Sequence, residues 1–403
     1  MLMVENTENF FENNLFRFEN DHCECATDTI NIAPGQPPVT TIKVQAIPGK
    51  KIQFAFSSGV GLVRLGEKGA LVEKNLLGSL ISINPNDTTS LFEYFNRNGF
   101  LFNISSSEYE PIDTPKMFEL IRRLRTTVEL LSAMGAIRKD YHKILGLSLY
   151  LMLSEPIEIS FSSMQKPYAT CIHSIQKCLD YAYNLPEPDS FQQQMFDKES
   201  ITIKDTLVSP TYELDMQLYL SCMEGSGQEF CLKGSSSNLF RTILTLYAHG
   251  INENHNIRKT IDLLFHYFYE VGIAKEIRED GTIEYYGLPQ TSNLTSAMKD
   301  RILEIAKLVI GEEINANMDS IHPLYDAEKM MPSWHVDSLI GGLYFSIFYM
   351  KPDLELFRRC RQCGQFFTVK ATSTRKVYCD DICRNRYQQS MHRKRKREKE
   401  ENI

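Results

Sequence analysis

Four cysteines near the end of this 403-residue chain, Cys360, Cys363, Cys379 and Cys383, follow the spacing C-x2-C-x15-C-x3-C. Thiols paired at such short spacings can set four sulfurs tetrahedrally around one zinc ion. A unit of about 40 residues buries too little apolar surface to fold alone. A structural metal supplies the missing free energy, on the order of 10 kcal/mol in zinc-finger peptides. The spacing therefore predicts one structural Zn2+ on Cys360, Cys363, Cys379 and Cys383. With all four ligands thiolate, the site is closed and has no open position for catalysis.

The residues between the cysteines suggest a local order. Cys360-Arg361-Gln362-Cys363-Gly364 reads as a knuckle, with Gly364 relieving the backbone after it. Phe366–Val369 is β-prone, Lys370–Lys376 fits a turn, and Val377-Tyr378 is expected to return as the second strand of a hairpin. Asp380 or Asp381 can cap a helix that carries Cys383 in its first turn. Knuckle, hairpin and helix in that order make a treble-clef-like finger.

Charge separates the same region from the rest. Residues 358–397 hold thirteen Lys/Arg against two Asp/Glu, a net +11, whereas residues 1–357 carry −16. A basic end on an acidic body points to phosphate as the partner of the basic end. Arg361, Lys376 and Arg384 can offset the −2 charge of a four-thiolate zinc site. Arg393, Lys394, Arg395, Lys396 and Arg397 lie beyond the ligands and have no acidic residue within their own run. On a helix, Cys383, Tyr387 and Met391 share the face that would pack on the hairpin. Arg384, Gln388 and Arg395 fall elsewhere and can face a groove. Asn385 and Arg386 are the candidates for reading base edges, since Asn pairs with adenine and Arg with guanine. A solvated tail at 393–397, and attraction between the acidic and basic parts within or between molecules, are the plain alternatives.

Residues 360–397 resemble the CGNR-type zinc finger of bacterial proteins. The matching positions are Cys360-x2-Cys363-Gly364, Phe366-Phe367, Tyr378-Cys379 and Cys383-Arg384-Asn385-Arg386 with the basic residues that follow. Where the family's name has Gly, this chain has Arg384. The resemblance implies DNA binding by the finger. It also implies a larger, mostly helical ABATE domain ahead of the finger, and a role in stress-responsive regulation.

For the rest of the chain, a 42% hydrophobic and 24% charged composition is that of an ordinary globular protein. The start, MLMVENTENFF, shows no secretory signal, so reduced thiols in a cytoplasmic setting are expected. Ile144–Leu153 and Leu339–Met350 are too short to span a bilayer, which needs roughly 20 residues, and read as buried core helices. Residues 1–40 look irregular. Thr41–Ile47 and Ile52–Phe56 read as short strands around a Pro48-Gly49 turn. A helix is expected from the N-cap Thr114 and Pro115 onward, with Met117, Leu120, Ile121, Leu124, Val128 and Leu131 on its buried face. Arg122, Arg123 and Arg125 are expected on its solvated face. Further helices are expected at about 137–153, 168–183, 237–249, 257–273, 293–312 and 334–350, with Trp334-His335 starting the last. Gly341-Gly342 costs that helix about 1 kcal/mol per glycine unless a close helix–helix approach compensates. Thr211–Cys222 can be a strand, and Gly225–Gly227 and Gly234–Ser237 read as loops. The expected fold is mainly α with a small β-containing N-terminal part and a C-terminal four-cysteine finger. Its divisions are 1–115, 116–350, 351–391 and a charged tail at 392–403.

No other motif rises above background. His22-Cys23-Glu24-Cys25 reads as a coincidence, and Cys171, His173 and Cys178 as core packing. Gly59, Gly61 and Gly66 match neither phosphate-loop spacing and read as a turn. The chain is expected to be a cytoplasmic regulator of transcription that contacts DNA through the finger. The alternatives are an RNA- or ribosome-associated zinc protein and a protein-interaction module. A membrane role is not expected, an enzyme is not favoured, and homo-oligomerisation and the ligand of the body stay open.

Overall fold

The computed structural model describes residues 14–30, 39–57, 61–66, 69–73, 75–183, 200–204, 211–215, 230–232, 235–237, 239, 243, 254–327, 330–373 and 375–401. Its largest sheet is antiparallel and five-stranded, in the order β1 (Asn14–Ile30), β2 (Val39–Ser57), β3 (Gly61–Leu65), β4 (Leu71–Glu73), with β5 (Glu110–Pro111) also pairing with β2. Six two-stranded pairs complete the β structure among the described residues. They are β6 (Glu158–Ile159) with β7 (Tyr168–Ala169), β8 (Ser200–Lys204) with β9 (Thr211–Asp215), and β10 (Phe230–Leu232) with β11 (Ser235–Ser237). The others are β12 (Ala274–Ile277) with β13 (Ile283–Tyr285), β14 (Ile321–Asp326) with β15 (Met331–Val336), and β16 (Glu355–Arg359) with β17 (Phe366–Lys370). Among the described residues the α-helices are α1 (Leu76–Ile81), α2 (Thr88–Asn98), α3 (Thr114–Gly135), α4 (Tyr141–Leu153), α5 (Ser174–Tyr183), α6 (His255–Glu270), α7 (Ser296–Ala316), α8 (Leu339–Phe348) and α9 (Asp381–Glu401).

The expectation of a mainly α protein with a small β start is therefore corrected. Residues 14–30, within the stretch expected to be irregular, form a 17-residue strand, and β2 runs for 19 residues through both short strands and the Pro48-Gly49 turn. Phe16 and Phe18 are buried while Arg17 and Glu19 are exposed, a period of two. Pairing goes from Asp21↔Lys51 directly to Cys23↔Ala46, so four residues of β2 oppose His22 alone. That irregularity restores the inward phase, and Cys23 and Cys25 are buried. The Asn, Asp and Glu content of β1 hides the strand; pairing with β2 creates it.

One face of the sheet supplies Phe16, Phe18, Ile42, Val44, Phe54, Phe56 and Leu62 to the main core, and the helices supply most of the rest. Phe16 stacks on Phe56 at 5.1 Å and meets Phe345 of α8 at 4.5 Å. The Gly341-Gly342 pair has a role other than the helix–helix approach expected. A Cβ on Gly342 would lie 2.4 Å from Cζ of Phe18, so the glycine admits a ring of β1. Trp334 and His335 lie in β15, not in a helix. Trp334 does reach the core, edge-on to Phe345 at 5.0 Å. Ser235–Ser237 is β11, not a loop, while Gly225–Gly227 and most of 237–249 lie outside the described residues.

Helix α3 is capped by Asp113, whose side chain accepts from Lys116 N, one residue ahead of the Thr114 cap expected. All six residues of the expected apolar face are buried. The arginine face is not solvated: Arg123 is 0% exposed and Arg125 is 9% exposed. Arg125 donates to the carbonyls of Ile81 and Ile83 and to Glu279. These acceptors arrive from elsewhere in the chain, so local periodicity could not signal them.

Candidate metal centre and basic helix

The zinc-ligand candidates are brought together by a hairpin that differs from the one expected. β17 pairs with β16, the strand before the knuckle, and not with Val377-Tyr378. The knuckle is thus the turn of the β16–β17 hairpin. Cys360 N donates to Gln365 O at 2.8 Å and Gly364 N to Cys360 O at 2.9 Å, with Gly364 at φ 75°, where a side chain would be strained. Arg359 Nε closes the turn by donating to Gly364 O at 3.1 Å. Val377 contributes only its carbonyl, which accepts from Arg361 N at 3.1 Å.

Register makes this hairpin two-faced. Leu356 pairs with Val369 and Arg358 with Phe367, and Leu356, Phe367 and Val369 form a small core with Cys360, Ala371 and Cys383. The opposite face carries Glu355 with Lys370, Phe357 with Thr368, and Arg359 with Phe366. From that face Phe366 enters the main core and Phe357 packs against it. The adjacent aromatics Phe366 and Phe367 therefore serve different cores. The two ends of α1 hold the backbone of Phe366: Asn75 Nδ2 donates to its carbonyl at 2.8 Å, and its N–H donates to Ser82 Oγ at 2.7 Å.

All four sulfurs lie within 4.8 Å of one another, and Cys363 Sγ is 3.7 Å from Cys379 Sγ. A tetrahedron with Zn–S bonds of about 2.3 Å has edges of about 3.8 Å. The four cysteines can hold one metal ion, and the all-sulfur donor set fits zinc. Cys360 and Cys383 are buried, Cys379 is half-buried and Cys363 is exposed. Burial raises the Cys360 thiol, but hydrogen bonds from the N–H groups of Cys363, Cys379 and Gln362 outweigh it and bring the thiol down to about 6. Backbone donors aimed at that sulfur favour the thiolate a metal requires.

Asp380 caps α9, its carboxylate accepting from Cys383 N at 2.6 Å. Cys383 faces the finger core, and Tyr387 lies 5.4 Å from Tyr378 between ring centres. Tyr387 and Met391 are half-buried on the same side, as the spacing predicts. Arg384, Asn385, Arg386, Gln388, Arg393 and Lys394 are exposed. Arg384 pairs with Asp381 at 3.3 Å. Arg395, Lys396 and Arg397 continue the same helix. Lys376 lies over the Phe367 ring at 5.6 Å, which uses one of the basic residues within the finger itself.

A second convergence was not anticipated from the sequence. Cys171, His173 and Glu313 are buried with their donor atoms within 4.8 Å of one another. Arg123 donates to both oxygens of Glu313, at 3.4 and 2.9 Å, and to the carbonyls of Ser154 and Cys171. Tyr344 donates to Glu313 at 3.1 Å. Nδ1 of His173 is 2.8 Å from Glu312, and Nε2 makes an ion pair with Glu313 at 3.2 Å without hydrogen-bond alignment. Burial opposes the charged ring, but the Cys171 thiol and the Glu312 and Glu313 carboxylates beside it prevail and push His173 up to about 11. Burial raises Glu313, but Arg123 and then His173 hold it down at about 2. An imidazole ring between two carboxylates, with an arginine on one of them, is a buried ion network. The sequence signals Cys171 and His173, but Glu313 comes from α7, some 140 positions away.

The remaining sequence candidates separate. Cys23 and Cys25 point into the core, and Cys178 is buried in α5. Among the described residues no helix is long and apolar enough to cross a membrane. No family model, curated protein or solved structure matches this chain.

Proposed function

We propose that this protein binds zinc through Cys360, Cys363, Cys379 and Cys383 and contacts duplex DNA through α9, acting as a cytoplasmic regulator. The observation that carries the reading is the division of α9 into two sides. Cys383 anchors it to the metal centre, while Arg384, Asn385, Arg386, Arg393 and Lys394 are exposed. Apart from the Cys383, Tyr387 and Met391 side and the exposed Ile382, the described surface of α9 is polar. Its basic side chains have phosphate as the natural counter-charge.

The 21 residues of α9 span roughly 31 Å at 1.5 Å per residue. A helix about 10–12 Å across matches the major groove of B-form DNA, about 12 Å wide. The narrow major groove of A-form RNA does not admit it. This favours DNA over the RNA-associated reading. The resemblance to the CGNR-type finger supports the same assignment. Arg393, Lys394, Arg395, Lys396 and Arg397 would supply phosphate contacts, and Arg384, Asn385 and Arg386 would lie nearest the groove floor.

Fluorescence anisotropy of the full chain against labelled duplex DNA and structured RNA, over a salt series, tests the proposal. About five phosphate contacts give a slope of log affinity on log salt near −4 to −5. Glutamine at positions 393–397 should flatten that slope. Tighter binding to structured RNA would move the assignment to RNA. Absent or salt-independent binding would leave the finger as a protein-interaction module.

A further inference from the structure

The seam between the finger hairpin and the body contains a pocket of about 50 Å3, open on one side. Its walls are the apolar side chains of Phe56 and Leu62 from the sheet, Tyr349 after α8, and Phe357 from β16. Glu355 and Thr368 join them from the hairpin. We propose that this pocket binds a primary alkylammonium group, with Glu355 as counter-ion.

Three observations carry the assignment. First, Glu355 shares a face of the hairpin with Phe357 and Thr368, because residues two apart on a strand and opposite in register point the same way. That face is turned to the body, where Phe357 packs on the main core. Second, Glu355 makes no ion pair among the described residues, although Lys370 stands directly across the strand pair from it. Two of the other polar side chains on the wall are engaged. Asn75 caps α1 and holds Phe366, and Ser346 donates to Leu343 O. Third, the remaining wall is largely ring and aliphatic carbon, and ring faces attract a cation. A neutral apolar ligand would desolvate the carboxylate without compensation, and an anion would be repelled. A cation carrying hydrogen-bond donors and a short apolar stem satisfies both halves of the wall.

Size narrows the class further. A cavity of about 150 Å3 takes benzene, so one a third as large takes an ammonium with its first carbon or two. The chain beyond would leave through the open side. Free alkylamines and a peptide lysine both present this group.

The test is titration of the full chain with butylammonium at constant ionic strength, read by thermal melting and by the emission of Trp334. Trp334 is the chain's single tryptophan. Its ring is 5.0 Å from Phe345, which is 5.1 Å from Tyr349 in the pocket wall, so emission should respond to filling. Expected are saturable responses in both readouts, no saturable response to butan-1-ol, and affinity at least about ten-fold weaker in Glu355→Gln. Glu355→Gln is isosteric and its own melt without ligand checks the fold. Phe357→Leu, which removes a ring but keeps apolar bulk, should also weaken binding several-fold. A stronger response to Nα-acetyl-lysine amide than to butylammonium would identify the peptide-borne group as the source, and the reverse order the free amine. The proposal is overturned if neither amine saturates, if butan-1-ol does as well, or if Glu355→Gln binds like the wild type.

Discussion

Replacing Glu313 by Gln should be among the most damaging isosteric changes in this protein. The carboxylate is 0% exposed and receives Arg123 at 2.9 Å, Tyr344 at 3.1 Å and the His173 ring at 3.2 Å. Gln keeps the shape and removes the charge, leaving the guanidinium with only the carbonyls of Ser154 and Cys171 besides the amide, and the imidazolium with Glu312 alone as its counter-charge. Removing one partner from a buried ion pair costs about 3–5 kcal/mol. Urea unfolding at pH 6 should show a loss of that size. The pH dependence adds a sign. His173 has a folded pKa of about 11 against 6.5 when unfolded, so its stabilisation is complete below pH 6.5 and is lost as pH rises toward 11. Over that window wild-type stability should fall as pH rises. Glu313 works on the other side: its contribution is present above pH 4.5 and is lost as pH falls toward 2. Unfolding free energies at pH 6.5, 7.5 and 8.5 for wild type and His173→Gln isolate the slope. A Glu313→Gln loss under about 1 kcal/mol, or equal pH slopes in wild type and His173→Gln, would refute the network.

Three further outcomes are expected. Cys379→Ser should lower bound zinc from one per chain toward none and remove DNA binding, while far-UV circular dichroism of the body is retained; metal analysis and anisotropy check this. Gly342→Ala places a Cβ against the Phe18 ring and should cost about 1–3 kcal/mol by overpacking, seen as a lower melting temperature. Asn75→Ala removes both the α1 cap and the bond to Phe366 O, about 1–2 kcal/mol in all, and should speed hydrogen exchange in β17.

Much of the candidate metal centre was legible in the chain. Cysteine spacing marks the candidate ligands, Gly364 marks the knuckle, and Asp380 marks the start of α9, because each of these depends on neighbours a few residues away. The hairpin partner was not legible. Val377-Tyr378 is as β-prone as Leu356-Phe357, and the choice between them rests on which strand can bury Phe357 and Phe366 against the body. The large sheet was missed for a related reason. β1 is rich in residues that strands disfavour, and only pairing with β2 puts Phe16 and Phe18 inside and, across a local irregularity, Cys23 and Cys25.

By itself, then, the sequence determined where a metal can be held, which helix carries the basic charge, and which segments are apolar enough for a core. Those properties are written in spacing and periodicity, which act over a turn or two of chain. Tertiary structure alone decided that Arg123 and Arg125 are buried, that Glu313 meets His173, and that Phe366 and Phe367 serve opposite cores. An ion pair between residues 190 positions apart has no local signature. Its free energy exists only once packing has excluded water and brought the partner within about 3 Å.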